Sequence, residues 1–69
     1  MPTNPKYAVT VDFDINIRSI PQMSGKIIGL AKKGNRYEII DTSNSFWIKI
    51  KFGENKEGWV VKKYFKIVD

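Results

Sequence analysis

The side chains most readily tested for catalysis are two carboxylates, Asp12 and Asp14. On one face of a strand they would lie roughly 6.6 Å apart, close to the separation of the acid pair in glycoside hydrolases. The chain has no His and no Cys to act as base, nucleophile or zinc ligand. Calcium would need about four more oxygen ligands than this segment supplies. We therefore expect no catalytic residue, no metal site and no cofactor.

The remaining side chains with recognisable chemistry are suited to binding. Residues 46–52 (FWIKIKF) alternate, which predicts a strand with Trp47 and Lys49 on the outer face and Phe46 towards the core. An exposed indole offers a flat apolar face and one N–H donor to a peptide or sugar ring. The alternative is a Trp that covers the core. Phe46 and Tyr37 are expected to be buried or half-buried.

A second candidate group lies in the segment INIRSIP, residues 15–21. Its alternation points Ile15 and Ile17 into the core and Asn16 and Arg18 outwards, and Pro21 prevents the strand from continuing. Two interpretations stay open. Asn16 and Arg18 brace the following loop, or the planar Arg18 guanidinium binds a ligand carboxylate.

Composition limits the class of protein. The 69 residues make one domain, and ten Lys and two Arg against seven acids give a net charge of +5, which favours polyanionic partners such as nucleic acid, an anionic wall polymer or acidic lipid. No apolar run is long enough to cross a membrane, and residues 1–6 form a polar lead without the pattern of a signal peptide. We expect a chain that neither spans a membrane nor exports itself.

The ten Ile and nine aromatic residues favour pleated structure, and no helical periodicity is present. The alternation over residues 7–18 is too long for one strand, so we expect a bend near residues 12–14. The pattern predicts strands at 14–18, 27–31, 36–41, 46–52, 58–61 and 65–68, a loop at 19–26, and turns at 32–35, 42–45 and 53–57. Gly29 predicts a bulge or a close backbone approach. The fold class is all-β.

In this order the segments resemble the bacterial SH3 (SH3b) family. The matching pieces are Ile15–Pro21, Lys26–Gly29, Lys32–Gly34, Trp47–Ile50, Gly58–Val60 and Tyr64, within residues 7–68. Ile20 departs from the family, which usually has Gly before this proline. The resemblance implies a small SH3-like barrel of five to six short antiparallel strands over residues 7–69, a module of a longer protein.

The resemblance also implies a role in targeting to the cell wall. It places a shallow ligand groove at Trp47, Trp59, Tyr64, Arg18, Asn16 and Lys49, although Trp59 could equally serve packing. The expected partner is the peptide or crossbridge part of peptidoglycan, with the lysines attracting anionic wall polymers. From the resemblance we expect a monomeric, extracellular module that is associated with the wall, as an accessory domain of an endolysin or autolysin.

Two other functions stay open. The groove could bind an extended peptide of another protein, but recognition of PxxP segments is not expected because Val61 replaces the proline used by eukaryotic relatives and the first loop lacks acids. A basic barrel could also bind nucleic acid. Small archaeal chromatin proteins with SH3-like barrels do so but end in a helix, for which residues 65–69 are too short.

Overall fold

The structure is a computed structural model that describes residues 6–68 as seven short strands and one turn of 3-10 helix. The strands are β1 (Tyr7–Val9), β2 (Ile15–Arg18), β3 (Ile27–Ala31), β4 (Arg36–Asp41), β5 (Trp47–Phe52), β6 (Lys56–Val61) and β7 (Lys66–Val68). The 3-10 turn spans Lys62–Tyr64. Residues 1–5, most of the predicted lead, and Asp69 lie outside the described residues. The predicted all-β class is confirmed.

All seven strands belong to one antiparallel sheet in the order β3-β2-β6-β5-β4-β1-β7. Hairpins join β2 to β3, β4 to β5 and β5 to β6, whereas β1 pairs with both β4 and β7. Strands β2 and β6 meet where Arg18 pairs with Trp59. The structure has seven strands rather than five or six, because Tyr7–Val9 forms a strand of its own before the bend.

The predicted bend between β1 and β2 is present at residues 11–13. Thr10, which is fully buried, holds it by donating a hydrogen bond from Oγ1 to the Phe13 carbonyl, 2.8 Å away. The Thr10 carbonyl accepts the Gly34 N–H at 2.8 Å, and Asp14 Oδ1 accepts the Lys33 N–H at 2.7 Å. The bend is thus tied to the turn between β3 and β4, where Gly34 adopts φ +85°, a conformation that favours glycine.

The core is formed by side chains from five strands. Its fully buried members are Ala8, Ile17, Ala31, Ile48, Ile50 and Val60. Burial of one isoleucine side chain contributes roughly 1.5–3 kcal/mol. Ile17, Ile48 and Ile50, which the alternation directed inwards, are therefore major contributors to stability in a chain that has no disulfide.

Close packing against neighbouring groups explains two glycines. A Cβ on Gly58 would lie 2.3 Å from Ile17 Cγ2 and 3.1 Å from the Arg18 carbonyl oxygen, so β6 can reach β2 only with glycine here. A Cβ on Gly29 would lie 2.6 Å from the Phe52 ring. The pairing of β2 with β3 also shifts register beside Gly29. The predicted bulge at Gly29 is confirmed, whereas the group that lies close to it is the Phe52 side chain rather than another backbone.

Candidate functional site

A hollow of about 240 Å³ opens where β2, the loop before β3 and the 3-10 turn meet. Three of the six predicted site residues, Asn16, Arg18 and Tyr64, line it. The other lining residues are Phe13, Asp14, Ile15, Met23 and Val61. The structure therefore brings half of the predicted residues together, in a hollow with apolar walls and polar groups of both signs.

Arg18 braces the loop that forms one side of this hollow. Its Nη1 donates a hydrogen bond to the Gly25 carbonyl at 2.9 Å. The loop is also closed by backbone hydrogen bonds from Ser19 to Lys26 and from Gly25 to Gln22, each 2.9 Å long. The predicted brace is confirmed for Arg18. A guanidinium has five N–H donors, so this bond leaves others for a ligand.

Trp59 and Lys49 lie on the outer face of the sheet next to Arg18. In the strand register Trp59 pairs with Arg18 on one side and with Lys49 on the other. Lys49 Nζ lies 5.8 Å from the centroid of the Trp59 ring and 3.3 Å from Glu57 Oε1. The half-buried indole thus already stacks against a cation of its own domain, which favours the packing interpretation of Trp59.

The predicted exposure of Trp47 is wrong. Only 8% of this residue is accessible, although it is not a member of the central core cluster. Alternation along β5 indicates which way a side chain points, but it does not show whether that face of the sheet is covered. Burial favours the alternative stated above, a tryptophan that covers the core.

The prediction for Phe46 is also wrong, because it is 76% exposed rather than buried or half-buried. Strand β5 begins at Trp47, and Asn44 Oδ1 accepts the N–H groups of both Phe46 and Trp47, at 2.8 and 3.0 Å. These hydrogen bonds shape the preceding loop so that Phe46 lies outside the alternation of β5. Tyr37 is half-buried, as predicted.

Sequence reasoning missed five of the eight lining residues, among them Phe13, Asp14 and Met23. Phe13 occupies an apolar position of the alternation over residues 7–18, but the bend leaves it 52% exposed, in edge-to-face contact with Tyr64 at a centroid distance of 5.7 Å. Met23 is 68% exposed. A second large apolar side chain beside Ile20 in an otherwise mostly polar loop was the available signal for Met23, whereas nothing in the pattern singled out Phe13.

Asp41 shows the clearest electrostatic effect. The pKa of its carboxyl is lowered, chiefly by a hydrogen bond from the Ser43 side chain, then by the Ser43 backbone N–H at 2.8 Å, with a smaller contribution from the charge of Lys49. Asp41 pairs with Lys49 across the sheet and is not a lining residue of the hollow. Its role is to stabilise the loop after β4.

Residues 6–68 give little support for a metal site, a catalytic carboxylate pair or a membrane-spanning helix. This part of the chain contains no group of three or more His, Cys, Asp or Glu side chains placed to bind a metal. Asp14 accepts a backbone hydrogen bond and Asp12 is exposed. None of the described helical segments is long and apolar enough to cross a bilayer.

Comparison with known proteins places this fold in a family. The family described as the bacterial SH3 domain matches residues 14–66, which include β2 to β6 and most of the hollow. YrvJ from Bacillus subtilis (strain 168), whose name marks it as a candidate N-acetylmuramoyl-L-alanine amidase, is 39% identical over 54 residues. That match covers 78% of this chain but only 10% of the length of YrvJ. The chain belongs to the bacterial SH3 domain family.

Proposed function

We propose that this domain is a non-catalytic module that binds the peptide or crossbridge part of peptidoglycan and targets a wall hydrolase or surface protein to the wall. The similarity to YrvJ carries this proposal, because its name refers to the N-acetylmuramoyl-L-alanine link of peptidoglycan and this chain matches only a domain-sized part of it. The same reasoning supports an extracellular, wall-associated module of a longer protein. That the module is monomeric stays an expectation from the family resemblance.

The geometry of the hollow supports a peptide ligand. Phe13, Met23 and Tyr64 supply apolar contact area, while the Asn16 amide can both donate to and accept from a peptide backbone. The brace from Arg18 to Gly25 fixes one wall before the ligand arrives, which lowers the entropic cost of binding. The absence of His and Cys agrees with a role in binding rather than in catalysis.

The test is sedimentation with purified peptidoglycan, stripped of teichoic acid, from several Gram-positive species at physiological salt. The parent domain should sediment with some crossbridge types and not with others. Asn16→Ala and Tyr64→Ala should each weaken binding by about tenfold. Sedimentation with none of the walls would reject the proposal and favour a module that binds a segment of another protein.

Two control variants distinguish the loss of a contact inside the hollow from a general loss of wall binding. Asn35→Ala changes an exposed asparagine in the turn between β3 and β4, and Ile67→Ala changes a residue that is 40% exposed, matched to Tyr64 at 41%. Neither control residue lines the hollow. Both should bind like the parent, and equal losses in all four variants would contradict a ligand in this hollow.

A further inference from the structure

A second hollow, of about 340 Å³, lies directly beside the first. Its lining residues are Ser45, Phe46, Val61, Lys62 and Lys63, and it shares Val61 with the hollow around Asn16. The two differ in charge. The first contains both Asp14 and Arg18, whereas among residues 6–68 the charged side chains that line the second are all lysines. A ligand in the first hollow could therefore extend into a neighbouring space of purely positive charge.

Phe46 gives this second hollow its apolar wall. At 76% exposure it is the most exposed of the large hydrophobic residues in the described part of the chain. Its backbone is nevertheless fixed, because its N–H donates to Asn44 Oδ1 at 2.8 Å and its carbonyl accepts the Lys62 N–H at 2.9 Å. An exposed aromatic ring on a constrained backbone can bind an apolar group without first paying to order a loop.

The lysines supply the charge. The Lys62 N–H bond to Phe46 joins the loop after β4 to the 3-10 turn, so that Phe46, Lys62 and Lys63 meet although they are distant in sequence. Lys63 Nζ lies 5.2 Å from the centroid of the Tyr64 ring, towards the first hollow. Within residues 6–68 neither lysine forms a salt bridge. Their ammonium groups can thus attract an anion from outside the domain.

We propose that Phe46, Lys62 and Lys63 form a second subsite that binds a carboxylate next to a small apolar side chain in an acidic peptide. The aliphatic group packs on the Phe46 ring, and the carboxylate is held by the two ammonium groups. The inference deepens the proposed function, on which the assignment of this peptide to the wall rests. The subsite itself requires only a carboxylated peptide and can be tested without wall.

The test uses N-acetyl-alanyl-alanine and its C-terminal amide, which differ in the terminal carboxylate. Each peptide is titrated to tens of millimolar into the domain while the backbone amide NMR signals of Ser45, Phe46, Lys62 and Lys63 are followed. The carboxylate form should shift these signals with a Kd on the order of millimolar. The amide should bind about fivefold more weakly, because it loses the ionic contact.

A pair of double variants provides the control. Lys62→Gln with Lys63→Gln should abolish the preference for the carboxylate, whereas Lys32→Gln with Lys33→Gln, which removes the same charge from the turn between β3 and β4, should keep it. All four lysines are exposed, so both variants should keep the fold, which their spectra check directly. Phe46→Ser should weaken both peptides.

Several outcomes would overturn the subsite. They are equal affinity for the two peptides, equal effects of the two lysine pairs, or no shift at the four signals. The wall experiment has a separate result. Binding of the carboxylate peptide without sedimentation on any wall would support the subsite and reject wall targeting. Sedimentation with wall but no preference for the carboxylate peptide would reject the subsite and support wall targeting.

Discussion

At the scale of single residues, the ionisation of Asp41 makes the stability contributed by the loop after β4 depend on pH. Hydrogen bonds from Ser43 and the charge of Lys49 lower the pKa of its carboxyl below 3.8, its usual value. A lowered folded pKa contributes stability that is present above the unfolded pKa and is lost as the pH falls through the folded one. Asp41→Asn should therefore lower the Tm at pH 7, and the difference from the parent should shrink below pH 3.8.

Thermal unfolding followed by circular dichroism at several pH values would measure this effect. Asp12→Asn is the matched control, because Asp12 is exposed in the bend between β1 and β2. Its Tm should follow that of the parent throughout. A loss of stability in Asp41→Asn that is the same at pH 7 and in acid would show that charge on Asp41 contributes nothing.

Phe46 and Trp47 show what the sequence could and could not predict about the site. The period of two correctly placed Ile48 and Ile50 in the core, because a strand places successive side chains on opposite faces. It did not show that Trp47 is covered, nor that Phe46 precedes the strand. Both depend on the loop before β5 and on surrounding side chains, which no local pattern encodes.

At the scale of elements, the loop over residues 42–46 depends on Asn44. The side-chain oxygen of Asn44 accepts two backbone N–H groups, those of Phe46 and Trp47. Asn44→Ala leaves both donors without this acceptor and should lower the free energy of unfolding by about 1–2 kcal/mol. Urea denaturation measures the loss. Because Phe46 then loses its fixed position, affinity for the carboxylate peptide should fall as well.

Asn44→Asp is the conservative partner of this variant. It keeps an oxygen at the same position and should restore most of the stability and the peptide affinity. Asn35→Ala, in an exposed turn, should change stability by less than about 0.5 kcal/mol. If Asn44→Ala unfolds at the same urea concentration as the parent, the loop is held by other contacts and our account of Phe46 fails.

The sequence predicted the positions of the strands more accurately than it predicted the residues of the site. Residues 27–31 and 36–41 were predicted as strands with the observed bounds, because Gly, Pro and polar residues mark the turns on either side. The 3-10 turn at Lys62–Tyr64 was not predicted, since one turn leaves no periodicity to detect. It matters for function, because it carries Tyr64 into the first hollow and Lys62 and Lys63 into the second.

At the scale of the whole molecule, the net charge of +5 fits both a wall ligand and a nucleic acid. The dependence of affinity on salt concentration distinguishes these two kinds of ligand. A protein that neutralises 6–10 phosphates loses roughly 10³–10⁵ in affinity between about 50 and 200 mM salt, because counterions are released. A peptide that offers one or two carboxylates to Lys62 and Lys63 releases few counterions. Wall binding should therefore fall by less than about tenfold over this range.

This prediction can be checked by sedimentation with peptidoglycan at several salt concentrations, with single-stranded DNA oligonucleotides titrated in parallel. The Lys62→Gln, Lys63→Gln variant should show a flatter dependence than the parent, because this pair lines the second hollow. The Lys32→Gln, Lys33→Gln variant should not, because that pair lines neither of the two hollows described above. Equal flattening by both pairs would mean that the lysines act only through total charge. A steep dependence with tight oligonucleotide binding would instead make the outer surface of this domain a nucleic-acid interface.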